Sequence, residues 1–184
     1  MELQDHEIRT LIEASARGHA ESCRKLYELL IDKVYGYVRY RTRTTEHATD
    51  LTQDVFIDFF ATVSNFTYQS RAQFYAYVFL ITRRKLSKYY EALKKRNEGE
   101  AVTFDEESMT PILTEGMQGE IAEVVALALS HLDAQTQEII TLHHWSQYTF
   151  GEIAEMLSMT ESAVRVRHHR ALPVLAQYLK EIET

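Results

Sequence analysis

The arginines near position 165 are the residues of this sequence whose type and spacing best suit a chemical task. Projected as a helix at about 100° per residue, Ser162, Val166 and Arg170 share one exposed arc, and Arg165 and Arg167 flank it. Arginines hold phosphates on either side of a DNA groove, while small or apolar side chains approach base edges and thymine methyl groups. The segment therefore predicts a helix that reads DNA through Thr160, Ser162, Ala163, Arg165, Val166, Arg167, His169 and Arg170.

The residues before this helix predict the motif that would position it. Thr149 and Glu152 have the spacing of a capping box, in which each side chain bonds an exposed amide at a helix start. A short helix, a turn at Ser158 and a second N-cap at Thr160 follow. Such lengths are typical of a DNA-binding helix-turn-helix. The alternative is a helical hairpin whose arginines are merely solvated.

The other face of the longer helix is expected to pack inward. The same projection places five side chains on a buried arc: Val164, His168, Ala171, Leu172 and Leu175. Pro173 should clash with the carbonyl of His169, so we expect the helix to kink or end there.

A second group of residues combines aromatic rings with basic side chains between positions 65 and 88. Flat rings can stack on an unpaired base at roughly 1–3 kcal/mol each, and cations can hold the phosphates. Phe74, Tyr77, Val78 and Ile81 recur at helical spacing and are more simply core. Base contacts are therefore predicted for Asn65, Phe66, Tyr68 and Arg71, and phosphate contacts for Arg83, Arg84, Lys85 and Lys88.

A third group lies on the outward face of an amphipathic helix that begins near His47. Asp50, Gln53 and Asp54 point away from the apolar face that carries Val55. Two carboxylates and an amide on one face suit a basic partner, and an ordinary solvated face fits the spacing equally well.

The elements that must position these groups are helices in two small domains. With 2 prolines, 6 glycines and 45% hydrophobic residues, the chain of 184 residues is expected to be all-α. Residues 98–119 are acidic and interrupted by glycine and proline, which predicts a flexible linker. The predicted domains are therefore 1–97, a helical bundle, and 120–184, which carries the helix-turn-helix.

The net charge of −7 conceals two blocks of opposite sign. Residues 61–97 hold eight Lys and Arg against one acid, whereas residues 98–132 hold eight acids and no Lys or Arg. Local charge governs phosphate contact, so the basic block remains compatible with nucleic-acid binding.

Several classes of protein are disfavoured. No apolar run has the roughly 20 residues of a membrane span, and the acidic start lacks the basic region of a secretory signal, so we expect a cytoplasmic protein without membrane insertion. Cys23 is the only cysteine, which excludes an internal disulfide or a thiolate zinc site. The neighbours His143–His144 and His168–His169 point about 100° apart in a helix and should not share a ligand site. No catalytic residues, metal or cofactor are predicted.

Three C-terminal segments, LDAQTQEII (132–140), TFGEIAEML (149–157) and AVRVRHHRAL (163–172), resemble region four of extracytoplasmic-function (ECF) sigma factors. The segment DLTQDVF (50–56) resembles region two, and the aromatic and basic stretch after it continues that likeness. At position 158 this sequence has serine where the family usually has the glycine of the turn, and at position 168 it has histidine where the family usually has leucine. Arg84, Lys88 and Glu91 also depart from the pattern.

The resemblance implies a sigma factor that directs RNA polymerase to promoters. Region two would bind core polymerase through Asp50, Gln53, Asp54 and Phe56, and would recognise and open the minus-ten element. Region four would bind the minus-thirty-five element, and the missing middle domain indicates the ECF group. The implied partners are core RNA polymerase, promoter DNA and an anti-sigma protein, with no small-molecule substrate. The alternative is a helix-turn-helix repressor or activator that does not bind core polymerase.

Overall fold

All regular secondary structure in the described part of the chain is helical. The computed structural model describes residues 3–39, 41–96, 125 and 128–182, and it contains no β-strand within these ranges. The predicted all-α class is confirmed. The predicted linker, residues 98–119, lies outside the described residues. No helix in the described ranges is long and apolar enough to span a bilayer.

The N-terminal lobe is a helical bundle with a single 3-10 turn at Val63–Asn65. Its helices are α1 (Asp5–Ala16), α2 (Ala20–Arg39), α3 (Thr45–Thr62) and α4 (Arg71–Arg96). Thr44 caps α3 by accepting a hydrogen bond from the amide of His47 at 3.2 Å. Gly18 adopts a φ of 82° between α1 and α2, a left-handed conformation that glycine accepts without strain.

Apolar side chains from all four helices fill the core of this lobe. Ile8, Leu30, Phe59 and Phe74 are fully buried. The Phe59 ring lies 4.9 Å from that of Phe60 and 6.1 Å from that of Phe74 between centroids, so aromatic contacts join α3 to α4. Burying one such side chain contributes about 1.5–3 kcal/mol. The core therefore fixes which faces of α3 and α4 remain outside.

In the C-terminal lobe, two short helices and one long helix follow residue 133 in the described part of the chain. They are α5 (Ala134–His144), α6 (Phe150–Leu157) and α7 (Glu161–Ile182). Asp133 begins α5 by accepting hydrogen bonds from the amide of Thr136 at 3.1 Å and from its hydroxyl at 2.6 Å. Leu129, Ile140 and Ala171 form a small buried cluster between α5 and α7.

Pro173 does not end α7, which runs on to Ile182. The expectation of an end at this position is wrong. Pro173 and His169 are both exposed, so water can reach the carbonyl that lacks its helical partner. Solvation of this carbonyl lowers the cost of a proline within the helix.

The two lobes pack directly against each other. Ile139, Leu142, Tyr148 and Ile153 of the C-terminal lobe belong to the same buried cluster as the core of the N-terminal lobe. At Gly36 of α2, an added Cβ would lie 2.7 Å from the carbonyl oxygen of Trp145, closer than real Cβ contacts. Sequence reasoning did not foresee this close approach.

Candidate polymerase and nucleic-acid interfaces

The helix-turn-helix is formed by the hydrogen bonds that the sequence predicts. The amide of Glu152 donates to the Thr149 hydroxyl at 3.3 Å, and the amide of Thr149 donates to the Glu152 carboxylate at 2.8 Å. Thr160 caps α7 by accepting from the amide of Ala163 at 3.2 Å. Ser158 ends α6 in the left-handed conformation, with φ 54° and ψ 43°. A non-glycine residue there costs about 1–2 kcal/mol.

One face of α7 is exposed as predicted. Ser162, His169 and Arg170 are exposed, and Val166 keeps 47% of its surface open, which is unusual for a valine within a packed lobe. Val164 and Ala171 are buried on the opposite face. The face that sequence reasoning assigned to DNA is therefore presented to solvent.

Leu172 was expected on the buried arc and is instead 41% exposed. It lies about 80° around the helix from Val164, at the edge of the arc, whereas Ala171 and Leu175 lie near its centre. His168 is only half-buried. The buried stripe of α7 is thus narrower than the sequence suggests.

Two arginines of α7 are held by acidic neighbours. Arg165 donates to Glu161 at 2.9 Å, and its guanidinium lies 5.1 Å from the Phe150 ring centroid. Arg167 contacts Asp133 at 3.3 Å. Partial burial opposes ionisation of Asp133, but hydrogen bonds from Thr136 and the charge of Arg167 together lower its pKa. Both arginines remain at least 41% exposed and are oriented by these contacts.

The acidic and amide face of α3 is also exposed. Asp50, Gln53 and Asp54 all face solvent, whereas Phe56 is 5% exposed and packs with its ring 4.5 Å from that of Tyr27. Phe56 is therefore not presented to a partner, because it belongs to the core. The sequence analysis predicted that Phe56 contacts core polymerase directly; in the structure this side chain packs inside the lobe instead.

Sequence reasoning missed Ile57 on this face. Its side chain is 65% exposed, and it follows Asp54 by three positions and Gln53 by four. Residues three and four positions apart lie on the same face of a helix, so the spacing alone could have placed Ile57 beside Gln53 and Asp54. Acidic, amide and apolar groups together form a mixed surface of the kind that protein interfaces use.

The aromatic loop is more buried than expected. Asn65 is exposed, but Phe66 is half-buried and stacks on Tyr77 with ring centroids 4.6 Å apart. Tyr68 is 9% exposed, with the guanidinium of Arg9 5.6 Å from its ring centroid. A base stacks on an exposed ring face, so base stacking by Tyr68 would require this side chain to leave its buried position; its role in DNA binding stays a prediction.

The basic side chains of α4 differ in their availability. Arg84 and Lys88 are exposed, while Arg83 is half-buried near the Phe79 ring. Lys85 pairs with Asp58 at 2.9 Å. Arg84 and Lys88 are thus the best placed for phosphate contact.

Arg71 connects the predicted minus-ten loop to the C-terminal lobe. Its Nε lies 3.4 Å from Glu152, the carboxylate that also caps α6. Arg71, which was predicted to contact DNA, therefore forms an ion pair with the C-terminal lobe in this structure.

A buried ion pair joins the lobes. Arg41 is fully buried and donates to Glu138, which also accepts the hydroxyl of Tyr37. Burial, the largest single influence, lowers the pKa of Arg41, but the charge and hydrogen bond of Glu138 together with Tyr37 and Tyr90 outweigh it and raise that pKa. Sequence reasoning placed Arg41 in a polar turn and gave no signal for this pair.

Three histidines meet between α5 and α7. His144 Nε2 lies 3.0 Å from His168 Nε2, and the ring of His143 lies within 5.0 Å of both of the other rings. Desolvation, together with the neighbouring histidines, lowers the pKa of His144 and of His168. The neighbours His143 and His144 were expected not to share a ligand site; in the structure their ring centroids lie 5.0 Å apart, and His168 of α7 lies beside both.

Comparison with known proteins assigns both lobes. Residues 26–96 match the family model of sigma-70 region 2, and residues 122–172 match that of sigma-70 region 4. Together the two matches cover more than half of the chain. The fold and the paired regions define a sigma factor, the class of protein that directs RNA polymerase to promoters. Within that class, the chain belongs to the ECF sigma factors.

The individual similarities are consistent with this assignment. The chain is 28% identical to the ECF RNA polymerase sigma factor BldN of Streptomyces coelicolor over 175 residues, which is 93% of this chain and 65% of BldN. It therefore spans slightly less than two thirds of that relative.

Two solved structures share the fold at 20% identity. CnrH in complex with the cytosolic domain of CnrY matches with a TM-score of 0.66, over 94% of this chain and 97% of that one. The sigma factor RpoE, in complex with the anti-sigma factor NepR from Bartonella quintana, matches with a TM-score of 0.58 over 85% and 96%.

Proposed function

We propose that this chain binds core RNA polymerase and directs it to promoters with a minus-thirty-five and a minus-ten element. The observation that carries the proposal is the presence, in one chain of the ECF family, of an exposed acidic face on α3 and an exposed reading face on α7. A repressor would need only the second of these faces. The match to region 2 therefore favours a sigma factor over a helix-turn-helix repressor or activator.

Core polymerase is the proposed partner of the α3 face. Asp50 and Asp54 supply carboxylates for a basic surface, Gln53 supplies an amide, and Ile57 supplies apolar area. Phe56 supports this face from beneath, since it is buried in the core.

The minus-thirty-five element is the proposed ligand of α7. Ser162, Val166 and Arg170 would face base edges in the major groove, while Arg165 and Arg167 would hold phosphates on its two sides. Thr160, Ala163 and His169 complete the predicted contact set. When DNA binds, a phosphate would take the place of Glu161 beside Arg165 and of Asp133 beside Arg167, so that each guanidinium keeps an anionic partner.

The first lobe is proposed to hold the opened minus-ten element. Arg84 and Lys88 are available for phosphate contact, with Arg83 and Lys85 beside them on α4. Phe66 and Asn65 are the loop residues best placed to meet a flipped base. Arg71 would join them after leaving Glu152.

The proposed role sets location and chemistry. A sigma factor acts where polymerase and chromosome meet, which places this chain in the cytoplasm. Its task is binding rather than bond-making, so we propose that it is not an enzyme and needs no cofactor. An anti-sigma protein is a further proposed partner, supported by the complex formed by the structural neighbour RpoE.

Core binding tests the proposal through charge on α3. The double variant Asp50→Ala/Asp54→Ala should weaken binding to core polymerase at least tenfold, about 1.4 kcal/mol, in a pull-down titration. The matched control Glu13→Ala/Asp32→Ala removes the same charge from exposed positions of α1 and α2 and should bind normally. Equal affinity of both variants, or no binding by the unaltered chain, would contradict the proposal.

A further inference from the structure

The three histidines between α5 and α7 have the arrangement of a metal site. One ring nitrogen from each of His143, His144 and His168 can be chosen so that all three lie within 4.8 Å of one another. We propose that they bind one divalent transition-metal ion of the zinc class, with a fourth position open to water. This site does not depend on promoter binding.

The hydrogen bond of His143 leaves one of its nitrogens available as a ligand. Its Nδ1 lies 2.9 Å from the carbonyl oxygen of Tyr148, which can only accept, so Nδ1 carries the proton. The lone pair is then on Nε2. Metal-binding histidines usually have such a second contact, because it fixes the tautomer and the orientation of the ring.

The other two rings are already close to ligand geometry. His144 Nε2 and His168 Nε2 lie 3.0 Å apart, and their planes are within 20° of parallel. Two nitrogens on a tetrahedral ion at about 2.0–2.1 Å lie roughly 3.3 Å from each other. At this distance one Nε2 carries a proton and the other accepts it. To bind a metal, the ring with the proton on Nε2 would change tautomer and carry it on Nδ1, and the three rings would turn so that their lone pairs converge on the ion.

The position favours a cation and lets it enter. His143 and His144 are the last two residues of α5, where the helix dipole contributes partial negative charge. His144 is exposed and the other two are half-buried, so an ion can reach the site from solvent. Nitrogen ligands from imidazole select zinc, nickel, cobalt or copper over magnesium and calcium.

The bound ion would tie α7 to α5. His168 lies in the reading helix, and the other two ligands lie in the helix that the N-terminal lobe packs against. Since metal would bind the folded state and not the separated helices, Zn²⁺ should raise the unfolding temperature.

Calorimetric titration of the full chain with Zn²⁺, after treatment with a chelator, tests the site. We expect one ion per chain and a higher unfolding temperature with Zn²⁺. His168→Leu and His144→Ala should each weaken binding at least tenfold, and leucine at position 168 keeps an apolar side chain beside α5. His19→Ala removes an exposed histidine between α1 and α2 and should bind as the unaltered chain does.

Absence of Zn²⁺ binding by the unaltered chain, or equal binding by His168→Leu, would overturn the proposal. Circular dichroism shows whether each variant folds. Should a variant fail to fold, Co²⁺ added to the unaltered chain decides. Intense visible absorption by the bound Co²⁺ would support the proposed tetrahedral site. Only the weak absorption band of octahedral Co²⁺ would contradict the proposal.

Discussion

Glu138 of α5 contacts two side chains of the N-terminal lobe. It receives hydrogen bonds from Arg41 and Tyr37, and Arg41 has no exposed surface. A buried charge that loses its partner is strongly destabilising.

Glu138→Gln should therefore lower the free energy of unfolding by about 3–5 kcal/mol, since it removes the charge of Glu138 from the fully buried Arg41 guanidinium. Urea unfolding followed by circular dichroism measures the change. Glu155→Gln, at an exposed position of α6, is the control and should stay within about 0.5 kcal/mol. A loss below 1 kcal/mol at Glu138 would show that water or another group satisfies Arg41.

The sequence predicted the exposure of the proposed interface residues correctly where residue type and helical register agreed. Asp50, Gln53 and Asp54 are exposed as their register predicts, and Ile57 was overlooked only because apolar residues were assigned to the core. The burial of Tyr68 was not predicted, because a tyrosine in a loop suits both a core and a base contact, and long-range packing decides between them.

The reading face of α7 can be tested at the scale of the helix. Val166→Glu should reduce affinity for minus-thirty-five DNA at least tenfold in a holoenzyme binding assay, because a carboxylate would face the phosphates and bases of the groove. The fold should be unaffected, since Val166 is already 47% exposed.

Leu172→Glu is the matched control for this helix. It adds the same charge at an apolar position of α7 that is 41% exposed but lies more than 100° away from Val166 around the axis. It should bind DNA with near-normal affinity. If both variants lost the same affinity for DNA, general repulsion between the added carboxylate and DNA would explain the result. That outcome would contradict the assignment of the Val166 face to DNA reading.

Local chemistry fixes most of the helix-turn-helix, which is why the sequence predicts it well. The Thr149–Glu152 capping box and the Thr160 cap involve residues only three apart, and both are confirmed. Pro173 was misjudged because its cost depends on whether water reaches the carbonyl of His169, which is a tertiary property. Arg41–Glu138 spans 97 positions, beyond any local pattern.

The docked lobes describe a compact state of the whole molecule. A compact chain of this length has a radius of gyration of about 16 Å and a diameter of about 40 Å. Promoter elements some 25 base pairs apart are separated by about 85 Å along B-form DNA. The proposed function therefore requires the lobes to separate, which would also release Arg71 from Glu152.

Gly36→Ala tests whether the lobes dock in solution. The added methyl would meet the backbone of Trp145 at 2.7 Å, while helix α2 itself should gain up to about 1 kcal/mol from alanine. We expect a larger radius of gyration in small-angle X-ray scattering with helix content unchanged.

Gly151→Ala is the corresponding control, because its methyl would approach only the Glu161 side chain, at 3.4 Å. Its scattering should match that of the unaltered chain. An unchanged radius for Gly36→Ala would mean that the lobes are not held together in solution or that the contact adjusts.

Transcription from host genomic DNA by purified core polymerase, with and without this chain, tests the central claim most directly. Sequencing of the RNA 5′ ends gives the start sites. With the chain present, we predict discrete start sites that share a minus-thirty-five and a minus-ten motif and that are absent with core polymerase alone. No new start sites, together with tight duplex binding by the chain alone, would contradict its role as a sigma factor.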